Sequence, residues 1–260
     1  MTKLEYAEKI AKEVNGEAKE VEKNNGVILT GVEVNTGSNM RPMIYIDDMY
    51  DQKLEVPEAV KQVRLIVKKY AKDDLDLSFL EVWDDVKPRL KARLLNKATK
   101  AEVKRKAGYG FDDLIIVPYI DIPEKKGAAK VTEGILKAWN KTADEVIDIA
   151  EENSKEDVNI QSIFDVLFGA ECPLFIPEGS PKMIVVTNKQ GCYGAYSIIP
   201  SLGKLKELFP NGFTVLPSSI HECIVVDEYD PVAMDLMVST VNNNEVDPTE
   251  QLSNRSYRIA

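Results

Sequence analysis

Apolar positions at the start of the chain repeat with helical spacing: Leu4, Ala7, Ile10, Ala11 and Val14 fall on one face. Thr2 ahead of them and Glu5 three residues on have capping-box form, in which hydroxyl and carboxylate each take an orphan backbone N–H. Asn15-Gly16 supplies the stop. From Gly26 the period changes to two, with Ile28, Thr30, Val32 and Val34 alternating against the opposite face, and after Gly37 the run Met43 to Ile46 is β-rich. A helix followed by an antiparallel pair is expected. Val56, Ala59, Val60, Val63, Ile66, Val67 and Tyr70 then form an apolar stripe with Lys61, Arg64, Lys68 and Lys69 outside it, the pattern of a surface helix packed on a sheet.

A second capping box, Ser78 to Glu81, predicts a short helix bearing Phe79, Leu80, Val82 and Trp83 that Pro88 ends. Asp113 to Ile122 reads as a buried strand and Gly127 to Val131 as another short one. A third box, Thr142 to Glu145, opens a helix whose apolar face holds Val146, Ile149 and Ala150. Residues 151–160 are polar and acid-rich and mark the best boundary, between regions 1–150 and 151–260. The buried pattern resumes at Ile160, so a single domain stays open. The last third reads as strands Met183–Thr187 and Tyr193–Ile199, helix Leu202–Phe209, strands Phe213–Leu216 and Glu222–Val226, and a helix capped by Asp230 with Pro231 in first position. The polar tail from Asn242 is expected on the surface. No repeat appears, and helices interspersed with hairpin-linked strands give an α+β class: antiparallel or mixed sheet segments flanked by amphipathic helices.

Charge narrows the functional classes. Lys plus Arg number 33 against 43 Asp plus Glu, a net charge of −10 that repels polyphosphates and disfavours nucleic acid as a partner. Only residues 87–106 oppose that sign, with Glu102 their single acid, and a solvated positive face is the expected reading. The longest apolar stretch, Leu114 to Ile120, is far short of the ~20 residues of a membrane helix, so no membrane role and a cytoplasmic location are expected. Cys172, Cys192 and Cys223 are too few for a disulfide framework, and with one histidine and no C-x-x-C pair neither a metal nor a cofactor is expected. Acid clusters at Asp47, Asp48 and Asp51, at Asp73, Asp74 and Asp76, and at Asp112-Asp113 lack the EF-hand pattern and suit helix starts and turns.

Candidate chemistry concentrates in Val215 to Cys223, which packs Ser218, Ser219, the only histidine His221, Glu222 and Cys223 between two predicted strands. With Glu222 opening a strand, His221 and Cys223 share a face and Glu222 points away, so a Cys-His pair is easier to build than a Ser-His-Glu triad. The alternative is structural: serines bonding a turn after Pro217, His221 meeting a nearby carbonyl, and Cys223 serving as a small core residue. Thr187 to Gly191 reads as a turn, with Asn188 and Lys189 as the residues that could donate to an anionic or amide ligand. No P-loop spacing accompanies them.

Three strings in order, Val186-Thr187-Asn188-Lys189 with Gly194-Ala195, Leu216 to Glu222, and Leu252-Ser253 with Tyr257-Arg258, resemble the bacterial domain-of-unknown-function family 5688. That family is found mainly in anaerobic Gram-positive gut bacteria. The similarity extends over most of the chain, including the opening helix, the helix near residue 56 and Asp112-Asp113-Leu114. The Pro-Ser-Ser-Ile-His-Glu string is also similar to part of a broader family of Gram-positive cytoplasmic proteins. The resemblance implies a bacterial cytosolic protein and carries over no catalytic residues. In the family's usual form apolar residues follow the Glu, which makes Cys223 one apolar choice. The expected function is therefore a non-enzymatic accessory or binding protein with a protein or small-molecule partner. The alternative is a hydrolase or transferase with His221 as general base and Ser218, Ser219 or Cys223 as nucleophile.

Overall fold

The computed structural model describes residues 1–70, 76–122, 127–169, 182–227 and 230–260. Asp73, Asp74 and Cys172 lie outside the described residues. The chain forms two compact units, Met1–Ser78 and Phe79–Ala260.

In the first unit α1 (Lys3–Glu13) carries the expected capping box: Glu5 N–H donates to Thr2 Oγ1 at 3.2 Å and Thr2 N–H to Glu5 Oε2 at 2.7 Å. Strands β1 (Gly16–Glu22), β2 (Ile28–Val34) and β3 (Met43–Tyr45) make an antiparallel sheet in that order. Strand β1 goes beyond the expected pair. Its sequence lacks an apolar alternation and is held partly by charge, with Lys19 bridging Glu33 at 2.7 Å and Glu17 at 3.0 Å. After α2 (Asp47–Asp51), helix α3 (Val56–Tyr70) lays Ala59, Val60 and Val63 against Tyr6, Ile10, Val32 and Ile46. Burial of each such aliphatic side chain contributes roughly 1.5–3 kcal/mol. Asp47 begins α2 and binds Lys3 at 3.0 Å and the Thr30 N–H at 3.0 Å, the structural role expected of that acid cluster.

The second unit opens differently from the expected capped helix. Ser78 donates its hydroxyl back to Asp76 at 2.6 Å, and Ser78–Glu81 is a 3₁₀ turn. Helix α4 (Trp83–Val86) and a second 3₁₀ turn (Lys87–Arg89) follow, with Pro88 inside the turn, where a missing N–H costs little. Strands β4 (Leu90–Asn96), β5 (Arg105–Lys106), β6 (Leu114–Ile122) and β7 (Gly127–Lys130) form an antiparallel sheet, β4-β6-β5, with β7 on the far half of β6. The basic stretch 87–106 therefore contains a strand. Leu90 and Leu94 go into the core, Lys91 reaches Asp157 at 2.5 Å, and Arg105 reaches Asp148 at 2.6 Å and Glu151 at 2.8 Å. Lys91 and Arg105 are thus paired within the fold, while Lys87, Lys97, Lys100, Lys104 and Lys106 are exposed, as expected of a solvated positive face.

Helix α5 (Glu133–Trp139) is capped by Thr132, and α6 (Ala143–Lys155) by the expected Thr142–Glu145 box. Residue 151 lies inside α6, and β8 (Val158–Ser162) follows directly, so the division at 150/151 falls within a packed element and the compact units part at Ser78/Phe79 instead. The acids of 151–160 reach partners within the fold: Glu151 accepts from Tyr196 as well as Arg105, and Asp157 holds Lys91.

Next come α7 (Ile163–Phe168), β9 (Met183–Asn188), a 3₁₀ turn (Gly194–Ser197) and α8 (Ile198–Leu208). They are followed by β10 (Phe213–Leu216), β11 (Cys223–Val226), α9 (Pro231–Asn244) and β12 (Tyr257–Ile259). The sheet order is β12-β10-β11-β9-β8, and every pairing is antiparallel. Residues 194–199 are helical rather than the expected strand, and Tyr193 ahead of them is left-handed. Gly194 to Ile198 are buried in succession, so the run has no period to read, and Pro200 in the first turn of α8 suits a helix start. The tail is likewise no surface appendage: Asn242, Leu252, Ser253 and Tyr257 are buried and β12 pairs with β10. One core joins both sheets of this unit, from Leu94, Ile116 and Ile120 through Val146 and Ile147 to Val186, Phe213 and Val225. The chain is α+β, with antiparallel sheets flanked by helices. Among the described residues no helix is long and apolar enough to cross a membrane.

Candidate functional site

Pro217 to Glu222, between β10 and β11, runs beside Glu250 to Ser253 and bends at Ile220 and His221. The Pro217 and Ser218 carbonyls accept from Ser253 and Leu252 at 3.0 and 3.1 Å, and Ile220 N–H donates to the Glu250 carbonyl at 2.9 Å. Ser219 and Gln251 form an isolated antiparallel bridge. Ser219 Oγ accepts from His221 N–H at 3.0 Å, a local turn bond of the kind that short hydroxyl side chains make. From the other side Thr187 Oγ1 donates to the His221 carbonyl at 2.8 Å and Ala195 N–H to that of Ile220 at 3.2 Å.

The imidazole of His221 is held at both nitrogens. Tyr193 N–H donates to Nδ1 at 3.2 Å, and Nε2 faces Glu250 Oε1 at 3.4 Å. The ring lies nearly parallel to that of Tyr193, with centroids 5.8 Å apart and planes at 20°. A backbone donor on Nδ1 selects the tautomer protonated at Nε2, leaving neither nitrogen with a free lone pair.

The nucleophile candidates are not assembled around that ring. Among the described residues no hydrogen bond joins the hydroxyl of Ser218 or Ser219 to the imidazole. Cys223 is 1% exposed, its Sγ 3.8 Å from the Ala195 carbonyl, and burial, with the charge of Glu222 added, pushes its thiol well above the ordinary range. A buried thiol with a raised pKa is inert rather than nucleophilic. Glu222 is half-buried, and the carboxylate that meets His221 belongs to Glu250. Asn188 spends its amide inside its own loop, donating to the Cys192 carbonyl at 2.7 Å and accepting from Cys192 N–H at 3.2 Å. Lys189 is fixed by its backbone N–H on the Asp157 carbonyl at 2.8 Å, with its side chain exposed.

Beyond the Tyr193 ring lie groups that the sequence reading did not select. Tyr119 on β6 meets Tyr193 edge-on at 5.4 Å, and Arg93 on β4 sets its guanidinium 5.1 Å from the Tyr193 centroid and 5.7 Å from that of Tyr119. Arg93 is 9% exposed, and its Nε is buried without a hydrogen-bond partner. Among the described residues no carboxylate pairs with it. Burial lowers its pKa, with the two tyrosines opposing the shift, and as an arginine it stays charged. Tyr119 and Tyr193 also wall an open groove of about 600 Å³, completed by Asp121, Gly127, Ala128, Gln190 and Cys192. Gln190 Nε2 donates to Asp121 Oδ2 at 3.1 Å across that wall. The signal for Arg93 was present in the alternation of Leu90, Ala92 and Leu94 with Lys91 and Arg93, hidden by the surrounding positive charge.

Among the described residues no group of three or more His, Cys, Asp and Glu side chains is placed to hold a metal ion. No curated protein and no solved structure matches the chain. One family model does, over residues 2–259, and the chain belongs to the Family of unknown function (DUF5688).

Proposed function

We propose that this chain is a non-enzymatic binding protein of the bacterial cytosol, in which the Pro217–Glu222 segment is a structural junction and the groove beside Tyr119 and Tyr193 is the recognition surface. The observation that carries this reading is the state of His221. A general base needs a free lone pair within reach of a nucleophile, whereas Nδ1 already accepts from Tyr193 and Nε2 faces Glu250. The surrounding hydroxyls support the same reading, since Ser219 and Thr187 hold the backbone of His221 in place. The groove supports it from the other side: it is concave, its walls combine aromatic faces with a few polar groups, and such surfaces are the usual form of small-molecule sites.

The test is turnover of p-nitrophenyl acetate and p-nitrophenyl phosphate by the full chain and by His221→Gln and Ser219→Ala. The expected result is no hydrolysis that disappears in either variant. Turnover abolished by both substitutions in folded protein would overturn the binding reading and restore the hydrolase alternative.

A further inference from the structure

The groove beside Tyr119 and Tyr193 encloses about 600 Å³, the size of a small-molecule site, and among the described residues its one charged lining side chain is the carboxylate of Asp121. The partner of that carboxylate is a neutral group, Gln190, whose Nε2 donates to Oδ2 at 3.1 Å; the nearby Lys91 pairs with Asp157 instead. Donating Nε2 leaves Gln190 with its Oε1 as a second acceptor on the same wall. A smaller cavity of about 10 Å³, room for about one water, adjoins the groove, and Tyr119, Asp121, Gln190 and Tyr193 line both. Its other walls include Ser154, Asp157 and Asn188, so a water there has polar partners.

Two groups on the groove wall report the sign of the local field. Burial raises the pKa of the Tyr119 phenol and of the Cys192 thiol, and at both the charge of Asp121 adds to the rise by more than that of Arg93 subtracts from it. Surroundings that disfavour a phenolate and a thiolate through a carboxylate's charge favour a cation. Arg93 touches the two rings but does not line the groove, so a ligand there meets Asp121 first. The net charge of −10 acts in the same direction at longer range.

We propose that the groove is a binding site for a small organic cation, one primary ammonium on an apolar body, with the ammonium at Asp121 and the body along Tyr119, Tyr193 and Ala128. The three N–H donors of the ammonium are met by the Asp121 carboxylate, by Gln190 Oε1 and by a water in the adjoining cavity. An anionic ligand is repelled by Asp121 and finds no cation among the described lining residues.

The proposal rests on the reading of the groove as the recognition surface, and its test is independent of the turnover assay. The chain has one histidine, stacked on Tyr193, so the His221 ring-proton signals in NMR of the full chain report on that wall. Phenethylamine, hexylamine, the neutral analogue phenylethanol and the anionic analogue phenylpropionate are titrated in turn at neutral pH. A saturable His221 shift is expected for phenethylamine or hexylamine with a Kd of about 1 mM or tighter, at least about tenfold weaker for phenylethanol, and absent for phenylpropionate. Asp121→Asn, which keeps the shape and removes the charge, should weaken amine binding about tenfold or more. Ala128→Trp, at an exposed position of β7, fills the groove with Asp121 in place; it should abolish the shift and decides the question if Asp121→Asn does not fold. The proposal is overturned if neither amine gives a saturable shift, if phenylethanol or phenylpropionate binds as well as the amines, or if folded Asp121→Asn or Ala128→Trp binds like the parent. Failure here leaves the non-enzymatic reading standing, and His221-dependent turnover would sink that reading without touching this titration.

Discussion

Gly194 is the tightest point of the junction around His221, and its replacement by alanine can be worked through in numbers. A Cβ at this position would lie 2.2 Å from Thr187 Oγ1, 2.5 Å from Asn188 N and 2.6 Å from the His221 carbonyl oxygen, where real Cβ contacts essentially never fall under 3.0 Å. Two of the three are backbone atoms, of β9 and of the strand-like segment before β11, so no side-chain rotation relieves them. Overpacking that moves backbone costs about 1–3 kcal/mol and occasionally more, and three simultaneous clashes place Gly194→Ala near about 3 kcal/mol. Both tryptophans, Trp83 and Trp139, lie in the second unit and pack together at 5.4 Å, so their fluorescence follows unfolding of the unit that holds Gly194. With a urea dependence of about 1–3 kcal/mol per M, the midpoint should fall by about 1–3 M. Adding Thr187→Ala removes the nearest atom and leaves both backbone contacts, so the double variant should recover less than about 1 kcal/mol. A midpoint within about 0.3 M of the parent for Gly194→Ala, or full recovery in the double variant, would refute the argument that backbone closeness demands glycine here.

Two further outcomes follow from the same geometry. Long-range ¹⁵N–¹H correlation spectra of neutral His221 should show the proton on Nε2, because Tyr193 N–H occupies Nδ1; a proton on Nδ1 would contradict that bond. Tyr119, Tyr196 and Tyr257 all have pKa values raised above the ordinary phenol value, by burial first, with Asp121, Glu151 and Asp113 respectively adding to the shift. Neutral phenols in the folded state give stability that is fully present below the unfolded pKa of about 10 and lost as pH climbs toward the folded values. Urea midpoints should therefore decline above about pH 10, and less steeply in Tyr119→Phe or Tyr257→Phe; an unchanged pH profile in both variants would count against the linkage.

How much of this could be read from the chain depended on whether a segment's own residues dictate its structure. The helices begun by Thr2 and Thr142 were legible because both halves of each capping box lie within four residues. So was α9, where Asp230 accepts from Val232 and Ala233 ahead of the first turn. Strands β1 and β4 were not, since charged side chains interrupt both and their order comes from partners distant in sequence, such as Glu33 for Lys19 and Asp157 for Lys91. β12 is short and sits in a polar tail, and its pairing with β10 is visible only once the chain has closed. At the site, the density of Ser218, Ser219, His221 and Glu222 was legible, but the groups that fix His221 come from Tyr193 and Glu250, which no local pattern connects to it.

The strings that carried the family resemblance meet in one place. Thr187 from the first binds the carbonyl of His221 in the second, Ala195 N–H binds that of Ile220, and Gly194 is pressed against both Asn188 and His221. Leu252 and Ser253 from the third string bond the carbonyls of Ser218 and Pro217, and Tyr257 pairs with Val215. These bonds tie β9, β10, β11 and β12 together at the segment before β11, so the strings are accounted for by assembly of the sheet. A hydroxyl or imidazole that fixes backbone in this way is committed, and freeing it for chemistry would release the junction it holds. Arg93 and Tyr119 stand outside all three strings, on β4 and β6, and meet the junction at the ring of Tyr193.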